Sequence, residues 1–323
     1  MKNYTFLLIV LGLFPISGFS LLGNNVWSSI FSEYHQLNKN LGAYQDRDSD
    51  FFTAYWKNNR ERFRKIIDQR DPGNFLADPY LAGAMVRGGY GSCQEFEETY
   101  LMNCLTEKAH QIIHSIKDVD QRWLKHESRE FSCSTNTLGH MFYLGRIIDL
   151  LSDLPAVMIE FGSGYGNFAR VFRQAYPNST EILIDFPEML ALAYYFLRLT
   201  LPNTKILLHK NAGQAVEPNA INLIPVFFID QLQQNCDVFV STFALSETTS
   251  FLQNLVVSNK FFDARLVYLT GQIDGWRGIG HTWMTDHTIL MKGIRGLYPT
   301  SFCSLFHIFS KNMASYEMIG IKA

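Results

Sequence analysis

Hydrophobic and polar positions alternate with two different periods along the chain. In the first part, apolar residues recur at helical spacing, as Phe63, Ile66 and Ile67 do beside charged neighbours. From residue 155 onward, short apolar runs alternate with segments of helical period. We therefore expect a mainly helical region over residues 24–150, followed by a region in which strands and helices alternate.

The second region is predicted to form a doubly wound parallel sheet. Five short apolar runs have the length of buried strands, and they cover residues 156–159, 181–184, 205–208, 237–240 and 265–269. Segments of helical period lie between them, over residues 167–176, 189–201 and 246–259. Strands that alternate with helices of this length are typical of parallel α/β sheets. The last apolar segments, 303–309 and 316–321, flank a polar turn and are predicted to pair as an antiparallel hairpin.

A glycine-rich motif, Glu-Phe-Gly-Ser-Gly-Tyr-Gly, follows the first predicted strand and precedes a helix. Gly162 lets the chain turn off the strand, while Gly164 and Gly166 let the backbone approach a ligand near a helix N-terminus. Nicotinamide sites use the spacing GxGxxG, whereas here the spacing is GxGxG with an acid two residues before it. That arrangement suits S-adenosylmethionine (SAM), whose sulfonium and ammonium groups are positive. We expect Glu160 to hold this positive end, beside Ser163 of the same loop.

A second acid, Asp185, comes 23 residues after Gly162, at the end of the second predicted strand. A carboxylate at this position can accept hydrogen bonds from both hydroxyls of a ribose. Phe186 stands next to it and is predicted to cover the adenine. The two alternatives are a nicotinamide or flavin site and a glycine-rich turn that binds no ligand.

These motifs resemble the sugar O-methyltransferases, a branch of the class I SAM-dependent methyltransferases. The resemblance rests on residues 159–166, 183–189 and 237–247, and it covers roughly residues 75–270. It implies a class I methyltransferase (Rossmann-like) sheet with a terminal antiparallel β-hairpin, preceded by a mainly helical N-terminal cap. It also implies transfer of a methyl group from SAM to a hydroxyl of a sugar or glycan. A phenol or protein acceptor, or SAM binding without catalysis by a membrane-tethered protein, remains an alternative.

O-methylation requires a base close to the acceptor hydroxyl, because a sugar hydroxyl is a weak acid. In this kind of sheet, acceptor groups gather at the carboxyl ends of the strands. The candidates there are Glu247, after the fourth strand, and His281 and His287, after the fifth. Trp276 and Trp283 could stack on a pyranose ring. The alternative for each histidine is a loop residue without a catalytic role. The alternative for Glu247 is a residue that caps its helix or pairs with a buried cation.

The composition of the chain restricts the classes of ligand and macromolecule that it is expected to bind. The chain has 28 basic and 30 acidic residues and a formal net charge of −2, without a basic stripe interleaved with aromatics. We therefore expect no nucleic-acid partner, and the balanced charge fits a neutral sugar acceptor. The 5 cysteines show no ligand spacing, and the histidines and aspartates show none that is diagnostic, so no metal is expected.

The N-terminus raises the question of compartment. Residues 3–32 carry no charge, and an apolar run follows Lys2. Gly18 and Ser20 could serve a signal peptidase, so residues 1–22 are predicted to be a signal peptide or signal anchor. A buried helix is the alternative. We accordingly divide the chain into a leader over 1–22, a helical cap or substrate region over 23–135, and a methyltransferase domain over 136–323.

This division predicts a secretory-pathway or membrane-anchored protein, with membrane association through the N-terminal segment. The alternative is a cytoplasmic protein, which SAM synthesis in the cytosol favours. The sequence does not decide the oligomeric state.

Overall fold

A computed structural model of the chain describes residues 16–68, 75–78, 81, 103–116, 135–151, 153–272, 288–306 and 315–322. The first part of the described chain is helical, as predicted. Its helices are α1 (Ile16–Asn40), α2 (Asp48–Phe51), α3 (Ala54–Asp68), α4 (Glu107–His114) and α5 (Thr135–Leu150). Short 3-10 segments lie at Leu41–Arg47 and Phe75–Ala77. The helical stripe predicted around Phe63, Ile66 and Ile67 is the buried face of α3.

The second part contains eight described strands and four described helices. The strands are β1 (Val157–Phe161), β2 (Thr180–Asp185), β3 (Ile206–Leu208), β4 (Ile221–Pro225), β5 (Val238–Thr242), β6 (Leu266–Gln272), β7 (Thr300–Phe306) and β8 (Ser315–Ile321). The helices are α6 (Asn167–Ala175), α7 (Pro187–Thr200), α8 (Ser250–Ser258) and α9 (Ile289–Leu297).

All eight strands form one sheet in the order β3-β4-β2-β1-β5-β6-β8-β7. The pairs from β3 to β6 are parallel, and β8 lies antiparallel between β6 and β7. This is the class I methyltransferase sheet with one additional edge strand, β3. The predicted fold class, including its terminal antiparallel hairpin and its helical N-terminal region, is therefore confirmed.

The structure differs from the predicted elements around strand β4, which the sequence did not reveal. The third predicted strand is only the short edge strand β3, and β4 lies between it and β2. Strand β4 carries Asn222 and Pro225, two residue types that strands disfavour. Asn222 is nevertheless fully buried, because its amide donates to the carbonyl of Glu217 and its oxygen accepts from the Glu217 amide.

Two helical segments of the second part differ from the predicted elements. The helix predicted over 246–259 is divided into a 3-10 turn, Ala244–Glu247, and helix α8. The division follows from Thr249, whose side chain accepts from the Leu252 amide and caps α8. Helix α9 was not predicted, and it packs on α8 and on the hairpin.

The N-terminal helices pack directly on the sheet region. Helices α1 and α3 contact α7, and α5 contacts α6 and β6. The contact between α3 and α7 contains a buried ion pair in which Nε of Arg60 lies 3.0 Å from Oε2 of Glu188. Nε of Arg64 lies 2.7 Å from the other oxygen of that carboxylate. These contacts place the N-terminal helices beside the carboxyl end of β2.

Helix α1 is described from Ile16 and continues past residue 22, where the leader was predicted to end. Among the residues that the structure describes, no helix is long and apolar enough to cross a bilayer. Residues 1–15 of the predicted leader lie outside the described residues. The leader, its membrane association and the domain boundaries therefore stay predictions.

Candidate functional site

The glycine motif forms the turn between β1 and α6, and all three of its glycines have the positive φ that other residues rarely adopt. Gly162 has φ +79°, and a Cβ added there would lie 1.9 Å from Cβ of Ala244. Gly166 has φ +87° and is the N-cap of α6, where a Cβ would lie 3.0 Å from a methyl carbon of Leu197. Gly162 thus allows a close approach between the β1 and β5 loops, and Gly166 allows α6 to pack on α7.

Two backbone hydrogen bonds tie this loop to strand β2. The amide of Gly162 donates to the carbonyl of Ile184 at 2.7 Å, and the amide of Gly164 donates to Oδ2 of Asp185 at 2.9 Å. The loop and the second acid are therefore held in one position relative to each other.

A cavity of about 230 Å³ opens at the carboxyl ends of β1, β2 and β5. Its polar lining includes the predicted residues Glu160, Ser163, Asp185 and Glu247. It also includes Asn136 and His140 of α5, Asn167 of α6, and Thr242 and Thr248 at and after the end of β5. Its apolar lining is largely aromatic and includes Phe51, Phe52, Trp56, Phe161, Tyr165, Phe186 and Phe243. Gly162 and Gly164 line it too, whereas Gly166 packs behind it. The structure thus brings together the predicted cofactor-binding residues, except Gly166, in the lining of one cavity.

Glu160 is the most unusual group in this cavity. Its side chain is 2% exposed, and its Oε2 atom has no hydrogen-bond partner among the described residues. Burial, together with the negative charges of Glu181 and Asp185, raises the pKa of Glu160 well above its usual value. The neighbouring Oγ of Ser163 also lacks a partner there. Buried polar atoms are nearly always satisfied, so this pair indicates a place for a polar ligand.

Asp185 is also buried, and its two carboxylate oxygens each accept one backbone hydrogen bond. Oδ2 accepts from Gly164 and Oδ1 accepts from the Phe186 amide at 2.7 Å. Burial raises the pKa of Asp185 to about 7, although these two hydrogen bonds oppose the rise. Each oxygen keeps a second acceptor position, so Asp185 remains able to accept from a pair of hydroxyls.

Phe186 lines the cavity within a cluster of aromatic rings from α3 and the turn before it. Its ring stacks on Phe63 with centroids 5.6 Å apart, and it meets Phe52 edge-on at 6.0 Å. Trp56 lies at 5.8 Å. The sequence predicted that one aromatic residue, Phe186, covers the adenine. In the structure Phe186 belongs to an aromatic wall, which we define as Phe52, Trp56, Phe63 and Phe186 and to which the N-terminal region contributes three rings.

Glu247 lines the same cavity from the 3-10 turn that follows β5. Burial raises the pKa of its carboxyl to about 8, and a hydrogen bond with the Trp56 side chain opposes that rise. Glu247 does not cap helix α8, because Thr249 does. A raised pKa in a cavity is typical of groups that take part in proton transfer.

The two histidines predicted with Glu247, His281 and His287, lie outside the described residues. So do Trp276 and Trp283. Their proposed roles stay predictions. Among the described residues, no three His, Cys, Asp or Glu side chains come together as metal ligands.

Several polar groups of the site were missed from the sequence, and the one with the most perturbed pKa is His140 on α5. Its Nδ1 atom accepts from Nδ2 of Asn167 at 2.9 Å, and Oδ1 of Asn167 accepts from Nε of Arg170 at 3.0 Å. Burial and the positive charge of Arg170 lower the pKa of His140 to about 3. A histidine within the uncharged, mostly apolar stretch 138–144 was the available signal, but the sequence does not show which cavity that helix meets.

The sheet order, the glycine turn after β1 and the acids at the ends of β1 and β2 together define a class I methyltransferase fold. No protein-family model matches the chain, and no curated protein matches it.

Several solved structures resemble the chain at low identity. The pyocyanin biosynthetic protein PhzM is 10% identical over 58% of this chain and 59% of its own, with a TM-score of 0.36. Magnesium protoporphyrin IX methyltransferase (ChlM) from Synechocystis PCC 6803, with bound SAH, is 10% identical over 67% of this chain and 94% of its own, with a TM-score of 0.42. The N-terminal domain of EvdMO1, in the presence of SAH and D-fucose, is 9% identical over 67% and 94%, with a TM-score of 0.40. Similarities of this size carry no argument about the reaction of this chain, which spans less than two thirds of PhzM.

Proposed function

We propose that this protein is a SAM-dependent O-methyltransferase that transfers a methyl group to a hydroxyl of a sugar or glycan. The observation that carries the proposal is the pair of buried acids, Glu160 and Asp185, at the ends of adjacent strands below a glycine turn. Neither carboxylate is paired with a Lys or Arg side chain among the described residues, although the buried acids Glu181, Glu188 and Glu317 are.

This charge pattern favours SAM over a dinucleotide. The described lining of the cavity contains acids but neither lysine nor arginine. A pyrophosphate would meet these acids without a cationic side chain to offset them, whereas a ligand with a sulfonium and an ammonium would supply the missing positive charge. In this proposal Glu160 and Ser163 hold the amino-acid end of SAM, and Asp185 holds the ribose hydroxyls. When bound, SAM supplies an electrophilic methyl group on its sulfonium.

The chain's own residues then have two tasks, which are to position the acceptor hydroxyl and to take its proton. Glu247 is the described candidate for the second task, since its carboxyl lines the cavity with a raised pKa. A carboxylate with a pKa of about 8 is a stronger base than an ordinary glutamate. The aromatic wall that includes Trp56 supports an acceptor with an apolar face, which a pyranose and a phenol both have.

The activity is tested by incubating the purified full chain with SAM and three acceptor panels, namely neutral sugars, phenols and unrelated proteins. We expect S-adenosylhomocysteine (SAH), the product that remains after SAM loses its methyl group, to form with a member of the sugar panel. In Glu247→Gln the rate should fall about 100-fold or more while SAM binding is retained. SAH formation only with phenols or only with proteins would refute the sugar acceptor and identify that other class as the acceptor. If SAM binds and no acceptor gives turnover, the non-catalytic alternative gains support.

A further inference from the structure

We infer that the Nε2 N–H of His140 donates a hydrogen bond to the carboxylate of the cofactor's amino-acid end. Glu160 holds the ammonium group of the same end, which has the opposite charge. This inference rests on the proposed SAM site and adds to it a residue from the N-terminal helical region.

The first step is the hydrogen-bond orientation of Asn167. Nε of Arg170 can only donate, and it lies 3.0 Å from Oδ1 of Asn167. The amide nitrogen of Asn167 must then be the atom that lies 3.2 Å from Oγ1 of Thr137 and 2.9 Å from Nδ1 of His140. Oγ1 of Thr137 also accepts from Nη2 of Arg170 at 3.2 Å. The orientation of the amide is therefore determined by the arginine behind it.

The second step is the tautomer of His140. Because Asn167 donates to Nδ1, that ring nitrogen is an acceptor and carries no proton. The single proton of the neutral ring is on Nε2. Burial and Arg170 lower the pKa of His140 to about 3, so the ring stays neutral and keeps this N–H over the whole physiological range. His140 is accordingly a permanent donor and not an acid–base group.

The third step is that this donor has no partner within the described part of the protein. The described polar contact of His140 is the one with Asn167, and its remaining contacts are with the rings of Tyr143 and Phe168. His140 lines the same cavity as Glu160 and Ser163. This N–H group, on a residue that lines the cavity and without a described protein acceptor, is therefore available to a ligand atom that accepts.

The fourth step is that three other donors in this part of the cavity already have acceptors. The amides of Gly162 and Gly164 already donate to Ile184 and Asp185. Nδ2 of Asn136 donates to the hydroxyl of Tyr165 at 2.7 Å. Glu160 can satisfy an ammonium group but repels a carboxylate. An amino-acid end that carries both groups therefore needs a separate donor, and Nε2 of His140 with Oγ of Ser163 supplies it.

The experiment compares three ligands by titration calorimetry on the full chain, namely SAH, SAH without its carboxylate, and SAH without its amino group. In His140→Phe we expect SAH to bind about 10-fold or more weakly, while the ligand without a carboxylate binds as it does to the wild type. Glu160→Gln is the matched control. It is expected to weaken both ligands that carry the amino group and to leave the ligand without one unchanged.

A result in which His140→Phe weakens SAH and its decarboxylated form by the same factor, or weakens neither, would overturn the inference. Failure of the wild type to bind SAH at all would instead count against the proposed function. His140→Phe removes the acceptor of a buried Asn167 donor and could fail to fold. The wild type alone then provides the test through the NMR signal of the His140 Nε2 proton, which should shift with SAH and not with the decarboxylated ligand. The same shift with both ligands would refute the inference.

Discussion

Replacing Gly162 by alanine tests whether the glycine turn is built on a close approach between two loops. Two penalties apply to Gly162→Ala. Its φ of +79° is unfavourable for alanine by about 1–2 kcal/mol, and a Cβ would stand 1.9 Å from Cβ of Ala244, which adds about 1–3 kcal/mol of overpacking. We expect the free energy of unfolding to fall by about 2–5 kcal/mol.

Gly213 provides a matched control, because its φ is +72° and nothing lies within 4 Å of the position of its Cβ. Gly213→Ala should therefore lose only the conformational part, about 1–2 kcal/mol. The difference between the two variants isolates the steric contact with Ala244.

A double-mutant cycle measures that contact directly. Ala244→Gly removes the clashing methyl group, and the nearest remaining atom, Cα of residue 244, would lie 3.4 Å from the new Cβ. In urea unfolding we expect a coupling of about 1–3 kcal/mol between Gly162→Ala and Ala244→Gly. The reasoning is refuted if Gly162→Ala is as mild as Gly213→Ala, or if Ala244→Gly gives no rescue.

Three further predictions concern charge. Because the pKa of the Glu247 carboxyl is about 8, kcat/KM should rise with pH up to about 8 and then level off. Glu247→Gln should abolish this rise. A pH profile that is unchanged in the variant contradicts the assignment of Glu247 as the base. Because burial raises the folded-state pKa of Asp185 to about 7, the folded state holds a proton that the unfolded state has lost between roughly pH 4 and 7. Its contribution to stability therefore falls as pH rises through that window, and Asp185→Asn should flatten the slope in urea unfolding; an equal slope in both proteins argues against the raised pKa. Glu188→Gln leaves Arg60 without its buried partner and should lower the free energy of unfolding by about 3–5 kcal/mol. The control Glu61→Gln removes an exposed partner of Arg64 and should change it by less than about 0.5 kcal/mol. Similar losses in both variants would show that the buried ion pair contributes no more to stability than the exposed one.

The glycine turn and its two acids were predictable because all of their information is local. Strands β1 and β2 are buried on both faces and therefore appear as continuous apolar runs. A glycine turn and an acid at the ends of such runs must lie at the same edge of the sheet, since parallel strands end on one side. The cavity contains Glu160 and Asp185 for this reason.

Strand β4 was not predictable in the same way, because its identity depends on tertiary hydrogen bonds. Asn222 lies in the middle of the strand and is a poor strand former, but Nε2 of His209 lies 3.0 Å from its Oδ1. The polar residue is satisfied by groups outside its own strand, which no periodicity shows.

The wall of the cavity that comes from the N-terminal helices was missed for a similar reason. Helix α3 was predicted, but its position beside β2 depends on the contact between Arg60 and Glu188, which are 128 residues apart. Trp56 and Phe52 reach the cavity only through that docking. A sequence pattern defines the buried face of a helix but not the surface against which that face packs.

The central claim is that the two buried acids and the glycine turn form a SAM site. The most direct measurement is a parallel calorimetric titration of the full chain with SAH and with NADH, repeated on Asp185→Asn. We predict that the wild type binds SAH and does not bind NADH. The variant should bind SAH more weakly, because it loses an acceptor for the ribose hydroxyls and for the Gly164 or Phe186 amide. Tight binding of NADH without binding of SAH would contradict the account.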